Sequence, residues 1–337
     1  MGTPRFAVPS LSRLLEDGHD VAAVVTQPDK PRGRGREVYP PPVKLLALER
    51  GLRILQPENV NLDEAITELT ALKPELIVVV AYGAILRKRL LSLPSMGCIN
   101  LHASLLPRLR GVAPINWAII QGETVTGVTT MWMNEKVDAG EIIFRREVPI
   151  LPDENAGELT ERMAAAGSEL LSRTLNEVAL GTAPRLPQDV SVSSYAPRLK
   201  KEDGVVDWNK DATSLFNHVR GMTPWPGAQT TFKAEPLKIL KATVVPGALG
   251  SGLPAPAGET SPAADTTAAG LAAGAAGAVP GAVLDVREEA SGEAGIVVAT
   301  GKGALRLLEV QPSGKRPMAA AEFARGRRLS RGDRFGS

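Results

Sequence analysis

The run Glu75-Leu76-Ile77-Val78-Val79-Val80-Ala81 is apolar from Leu76 onward without a polar break. A strand with one wet face alternates apolar and polar side chains, so an unbroken β-branched run marks a strand covered on both faces, as in a parallel sheet packed between helices. The flanking patterns agree. Helical periodicity over about Pro4 to Asp17 precedes a strand pattern over His19 to Val25; then come a helix over Pro41 to Leu52, a short strand over Arg53 to Leu55 and an amphipathic helix over Leu62 to Leu72. This alternation predicts an α/β, Rossmann-like domain with a parallel-rich sheet. Ligands of such sheets bind at the carboxyl ends of the strands, where the loops after Val80 and after Asn100 are expected to meet.

With 337 residues the chain has room for two domains, each able to bury its own core. We expect a catalytic domain over 1–181, a polar, proline-bearing linker over 182–200 (Pro184, Pro187, Pro197) and a second domain over 201–337. Strand-like runs at Leu237 to Val245, Ile296 to Ala299 and Ala304 to Val310 suggest a small β-barrel. Between them, residues 246–280 are almost entirely Ala, Gly, Pro, Ser and Thr, too poor in large apolar side chains to offset their ordering entropy, and are expected to be a disordered insertion. Each doubling of a loop's length costs only about 0.6 kcal/mol, so a barrel tolerates it.

No apolar stretch approaches the ~18 residues of a spanning helix, and no basic-then-apolar signal opens the chain; the expectation is a cytoplasmic protein without membrane contact. The one cysteine, Cys98, lies in the apolar strand pattern Met96 to Leu101 and reads as a buried structural thiol. The three histidines, His19, His102 and His218, stand at unrelated positions, so no metal site is expected.

The chemistry concentrates in Asn100-Leu101-His102-Ala103-Ser104-Leu105-Leu106-Pro107, with Arg108, Arg110 and Gly111 behind it, and in the later segment Val137-Asp138-Ala139-Gly140. Asn100 and His102 are two residues apart on a strand and therefore face the same side. An amide and an imidazole thus converge, and with Asp138 orienting the ring the set can hold a developing oxyanion and move a proton without a covalent nucleophile. Taken alone, a histidine at a strand end commonly does no more than satisfy a buried hydrogen bond. The surrounding motifs decide for chemistry.

Net charge is only +2, but it is uneven. Lys30, Arg32, Arg34, Arg36 and Lys44 sit among prolines and glycines, which predicts a flexible basic loop. Gly33-Arg34-Gly35 lacks the third glycine of a dinucleotide fingerprint. The last 37 residues hold nine Lys or Arg against three acids. Such clusters are either a solvated face or a surface for a polyanion.

From Gly2-Thr3-Pro4-Arg5-Phe6 nearly to the C-terminus, these motifs resemble the folate-dependent formyltransferases, and within them the bacterial branch that acts on methionyl-tRNA. The segment Thr26 to Arg36 and the domain bearing Thr223-Pro224-Trp225-Pro226 set that branch apart from glycinamide ribonucleotide formyltransferases. The resemblance implies a formyltransferase domain followed by an OB-like barrel, acting as a monomer without a metal. It implies 10-formyltetrahydrofolate as co-substrate, its pterin against Ala81, Tyr82, Gly83, Ile85 and Leu86, with Ser104, Leu105, Leu106 and Pro107 lining the same cleft. Catalysis would fall to Asn100, His102 and Asp138, and initiator methionyl-tRNA would be held by Lys30, Arg32, Arg34, Arg36 and Lys44, with Arg34 as the specificity contact. Formyl transfer to another amine, such as a nucleotide sugar, and a catalytically decayed RNA-binding protein are the alternatives. Three departures stand out: Lys136 and Ala139 replace a glycine and a threonine of the family pattern, the insertion interrupts the second domain, and the family's central apolar strand before Gly2-Thr3-Pro4 is missing. That strand is expected to be encoded in frame upstream.

Overall fold

The computed structural model describes residues 1–32, 37–246, 277–287 and 294–336. The chain forms two compact units, the first comprising Met1–Trp117, Thr124–Pro152 and Glu158–Arg198, the second Ala118–Glu123, Asp153–Gly157 and Leu199–Ser337.

The first unit carries strands β1 (Val24–Val25), β2 (Lys30–Arg32), β3 (Glu37–Tyr39), β4 (Ile54–Leu55), β5 (Ile77–Val79), β6 (Cys98–His102), β7 (Arg110–Gly111), β8 (Val125–Trp132), β9 (Ile142–Pro149) and β10 (Tyr195–Ala196). One sheet runs β5-β6-β8-β9, with β5 and β6 parallel and the other neighbours antiparallel; β1 and β4 form a separate parallel pair. Apolar side chains cover both faces of β5 and β6, as the run at Leu76–Ala81 requires. On one side Ile99, Trp132 and Ile143 pack with Leu171, Leu175 and Val178 of the helix Ala156–Ala179. On the other, Ile77, Val79 and Cys98 join Val25, Leu55, Ile66, Leu69 and Leu90. Cys98 is buried there, and burial pushes its thiol up to about 12, which suits packing and not nucleophilic attack.

Met1 and Gly2 lie between β1 and β5. The Gly2 amide donates to Val25 O (3.0 Å), the Val80 amide donates to Met1 O (2.9 Å), and Gly2 bridges Val80 in parallel. Beside them lies a cavity of about 360 Å³ lined by Leu11, Leu14, Val24, Ile77 and Val78. The strand expected over His19 to Val25 is confined to β1, because a ladder forms only where a neighbour offers backbone partners. Met1–Gly2 and β4 offer them at Val24–Val25.

Two expectations change. The basic segment is not a featureless loop, since β2 and β3 pair antiparallel as a hairpin stem, Lys30 opposite Tyr39 and Arg32 opposite Glu37. The stretch expected to be a linker lies against the first unit as far as Arg198. Leu186 and Ile142 exchange both backbone hydrogen bonds (2.8 and 3.0 Å), and β10 pairs in parallel with β7. Prolines bar this segment from a helix but not from extended pairing along an edge.

In the second unit β11 (Ala228–Phe232), β12 (Glu235–Val244), β13 (Val283–Arg287), β14 (Gly295–Ala299) and β15 (Ala304–Pro312) make an antiparallel sheet ordered β11-β12-β15-β14-β13, with β16 (Met318–Ala319) on β15. Its two edges are joined through the C-terminal segment, where Phe335 bridges Phe232 and Arg334 bridges Ala282. Phe335 packs between Trp208 and Phe232, which seals that join with aromatic surface. The expected insertion falls largely at 247–276, outside the described residues. Its flanks return to one place: Val245 on one side and Ala278, Ala282 and Leu284 on the other share an apolar cluster with Val297, Ala299 and Ala304. Among the described residues no helix is long and apolar enough to cross a membrane.

Candidate active site

Strand β6 is buried along its whole length and ends on the two groups singled out above, Asn100 at 8% exposure and His102 at 6%. Its register places Asn100 between Val79 and Met131 and His102 beside Thr129, so both functional side chains lie on one face at the strand's carboxyl end. Asp138 arrives from the loop joining β8 to β9. Its Oδ1 lies 3.7 Å from His102 Nδ1, and its Oδ2 accepts a hydrogen bond from the Gly111 amide at 2.8 Å. The other ring nitrogen, His102 Nε2, lies 3.1 Å from Leu109 O. A carbonyl oxygen only accepts, so Nε2 carries a hydrogen in this arrangement. The imidazole is thereby oriented from both edges, with a carboxylate placed to balance positive charge when the ring is protonated. The three expected catalytic residues come together.

The Asp138 loop is held tightly for a surface connection. Asp138 has a left-handed backbone (φ 48°), which side-chain-bearing residues adopt at a cost of about 1–3 kcal/mol and keep only where their surroundings enforce it. Gly140 follows it with its α-carbon against the Trp132 carbonyl; a Cβ there would stand 1.6 Å from that oxygen. Gln188 donates from Nε2 to Asp138 O (2.9 Å) and Gly140 O (2.8 Å), while its Oε1 accepts from Arg110 Nε (3.2 Å) and Nη2 (2.7 Å). Sequence reasoning assigned no role to Gln188 or Arg110. No spacing rule links a glutamine in a proline-rich stretch to a loop fifty residues earlier.

The expected folate loops are well formed, but several of their side chains point elsewhere. Thr3 Oγ1 donates to Tyr82 O (2.8 Å), and Asn61 holds the far end of that loop by donating to Ile85 O (2.9 Å) and accepting from the Arg87 amide (2.8 Å). Tyr82 and Leu86 are sunk in the apolar core, at 2% and 3% exposure, and burial pushes the Tyr82 phenol up to about 12. Their side chains are core; what the loop presents outward is Ile85, at 65% exposure, and the backbone of Ala81 and Gly83 in the left-handed region. In the second loop Thr129 Oγ1 donates to Ser104 O (2.6 Å) and accepts from the Leu106 amide (3.2 Å), which pins 104–106 to β8. Ser104 Oγ donates to Arg108 O (2.7 Å), and Leu106 packs on Met131 and Ile142. Leu105 lies over Gly127, and Pro107 O accepts from the Ser194 amide at 3.4 Å. Ser104 and Leu106 therefore shape this turn with their side chains.

Of the expected basic contacts, Lys30 and Arg32 lie on the hairpin stem, while Arg34 and Arg36 fall outside the described residues. Lys44 is committed elsewhere. Its Nζ pairs with Asp29 Oδ2 at 2.6 Å, and Gln56 donates to the other oxygen at 2.7 Å; bonds from Gln56 and Lys44 hold the Asp29 carboxyl below its ordinary range. In the C-terminal set Arg306 is buried and Arg327 pairs with Glu235, whereas Lys302, Lys315, Arg316, Arg325 and Arg331 are exposed. Among the described residues no cluster of three or more His, Cys, Asp or Glu is arranged to hold a metal.

A sheet that delivers an amide and an imidazole from one strand end to a carboxylate on the β8–β9 loop, followed by a unit built mainly of strands, defines a class. Residues 1–175 match the family model described as formyl transferase, and residues 198–328 match that of the formyl transferase C-terminal domain. The chain belongs to the formyl transferase family. Among its relatives, the methionyl-tRNA formyltransferase of Geobacter metallireducens is 45% identical over 336 residues, covering 100% of this chain and 97% of that protein. That of Bacillus subtilis is 44% identical over 337 residues, covering 100% and 96%. Among solved structures, an N-formyltransferase from Helicobacter canadensis in complex with folinic acid and dTDP-3-aminofucose shares the fold with a TM-score of 0.60 at 17% identity, over 91% of this chain and 97% of that one. HypX from Aquifex aeolicus, in complex with tetrahydrofolic acid, does so with a TM-score of 0.55 at 18% identity, over 82% of this chain and 43% of that one.

Proposed function

We propose that the protein transfers the formyl group of 10-formyltetrahydrofolate to the free amino group of methionyl-tRNA, the formylation that prepares the initiator tRNA for translation. The observation that carries this reading is identity of 43–45% with methionyl-tRNA formyltransferases across essentially the whole chain, both units included. The amine attacks the formyl carbon, the carbonyl π electrons move to oxygen, and a tetrahedral oxyanion forms. Collapse expels the folate nitrogen, giving formyl-methionyl-tRNA and tetrahydrofolate. Asn100 donates from its amide to the oxyanion, and His102 donates from Nε2 once that hydrogen is exchanged from Leu109 O to the substrate. Asp138 holds the ring and helps pass the proton lost by the amine to the departing folate nitrogen. Hydrogen-bond donors and proton-transfer groups of this kind contribute roughly 10²–10⁴ each in rate.

The loops at Ala81 to Leu86 and Ser104 to Pro107 are the proposed walls of the folate cleft, the first through its backbone and Ile85. Lys30, Arg32, Arg34 and Arg36 are the proposed contacts to the tRNA. One chain supplies every group named, so a monomer suffices, and a methionyl-tRNA substrate places the reaction in the cytoplasm.

The nucleotide-sugar alternative draws on structural neighbours at 17% identity, which speak for the fold alone. A formylation assay offering methionyl-tRNA and dTDP-3-aminofucose in parallel tests the reading. Formyl transfer to the tRNA is expected, with affinity falling steeply as salt rises because bound cations displace counterions. Arg34→Ala should raise the KM for tRNA about tenfold, the effect of roughly 1.4 kcal/mol, and leave that for folate unchanged. Transfer to the amino sugar alone, or folate binding without transfer to either, would overturn it.

A further inference from the structure

Two residues face the imidazole of His102, and both have a left-handed backbone: Leu109, whose carbonyl faces Nε2, has φ 54°, and Asp138, whose carboxylate faces Nδ1, has φ 48°. Neither is a glycine. Such conformations persist only where neighbours over-determine them. One stretch of chain reaches both. Ser194 Oγ accepts from the Leu109 amide at 2.9 Å, and Gln188 Nε2 donates to Asp138 O and Gly140 O at 2.9 and 2.8 Å. The stretch is itself fixed at its ends, by the paired backbone bonds of Leu186 with Ile142 and by β10 against β7.

We propose that Gln188 is a positioning residue for formyl transfer, its amide clamping the main chain at Asp138 and at Gly140 just after it and so setting the carboxylate against His102. This rests on the reading of Asp138 as catalytic. The amide is fully used: both hydrogens go to carbonyls, and Oε1 takes two bonds from Arg110, which is buried at 6% exposure. A guanidinium bonded to the amide oxygen polarises the group and strengthens its N–H donation at the other end, and a low-dielectric setting enlarges the effect. Arg110 also precedes Gly111, whose amide holds Asp138 Oδ2. The same clamp therefore grips the aspartate through its main chain and its side chain. The exposed residues 134–137 of the loop contribute little to that grip beyond the Asn134 bonds to Ala139 O and the Lys136 amide.

Gln188→Leu removes the hydrogen bonds at nearly constant volume. Gln188→Glu keeps a partner for Arg110 and the shape of the side chain, but offers the two carbonyls no hydrogen. In the full-length protein both variants should lower kcat about 10- to 100-fold, the usual penalty for displacing a reacting group by about an ångström, with the KM values for folate and methionyl-tRNA within about twofold of the parent. Their pH–rate profiles should change as that of Asp138→Asn does, and Gln188→Leu should have no further effect in an Asp138→Asn background. A parent-like kcat in Gln188→Glu, or losses that multiply in the double variant, would overturn the inference. A parent-like rate in Asp138→Asn would overturn the catalytic reading and the inference with it. An impaired Asp138→Asn beside an intact Gln188→Leu would overturn the inference alone.

Discussion

His102→Ala and Asp138→Ala are each expected to lower turnover at least a hundredfold while the protein stays folded. The expectation follows from what each group does in the transition state. Without the imidazole the oxyanion loses its Nε2 donor, and Asp138 loses the ring it holds; groups that stabilise charge or help move a proton are worth about 10²–10⁴ each in rate. Without the carboxylate the ring keeps only the Leu109 carbonyl as an orienting partner, at 3.1 Å on its other edge. The folding penalty is smaller, because Asp138→Ala frees one backbone amide, that of Gly111, for about 1–3 kcal/mol at most. His102→Ala takes its donor from the Leu109 carbonyl, for about 1–3 kcal/mol, and opens a space outside the apolar clusters of the sheet. Single-turnover formyl transfer, measured beside thermal melting, separates these effects. Near-normal rates in both variants would rule out the mechanism.

Gly140→Ala should be the most damaging single methyl group in the first unit's catalytic loop. The added carbon would lie 1.6 Å from Trp132 O and 2.8 Å from Trp132 C, both backbone atoms at the end of β8. A side chain could swing away; the carbonyl cannot, because the Met133 amide of the same peptide unit donates to Cys98 O at 2.8 Å and the Trp132 amide donates to Glu141 O at 2.8 Å. Relief requires either opening the β8–β9 turn or moving the loop outward. The first costs backbone hydrogen bonds, and the second carries Asp138 away from His102. We expect a loss of about 3 kcal/mol in the first unit's unfolding transition, at the upper end for overpacking, together with a fall in kcat of about a hundredfold. Scanning calorimetry with an activity assay reads both. As a control, Lys136→Gly at an exposed position of the same loop should leave stability within about 0.5 kcal/mol. Parent-like melting and turnover in Gly140→Ala would show that the turn yields more easily than its backbone contacts imply.

The segment expected to be a passive linker has a different standing in the fold. Residues 186–196 pair with Ile142, β7 and Leu109 and hold the Asp138 loop, so truncating the first unit at 181 would remove supports of its own site. A catalytic unit meant to stand alone has to extend to about Arg198.

What the sequence determined by itself was whatever depends on local periodicity. The apolar run at Leu76–Ala81 implied a doubly covered strand, and period two placed Asn100 and His102 on one face, because both follow from the geometry of a single strand. The strands Leu237–Val245, Ile296–Ala299 and Ala304–Val310 were legible for the same reason and appear as β12, β14 and β15. Their partners β11 and β13 were not, since Ala228–Phe232 and Val283–Arg287 carry polar residues such as Gln229, Thr231, Asp285 and Arg287 and become strands through the neighbours they pair with. Tyr82 and Leu86 show the limit from the other side: a motif placed them near the folate, but which way a side chain turns off a loop is set by the core it can enter. Lys44 looked like one more cation for a polyanion until Asp29, fifteen residues earlier, came within 2.6 Å. Only the tertiary structure decided that Gln188 and Arg110, 78 residues apart, would meet and hold Asp138. Hydrogen bonds choose partners by distance in space, and a sequence orders residues only along the chain.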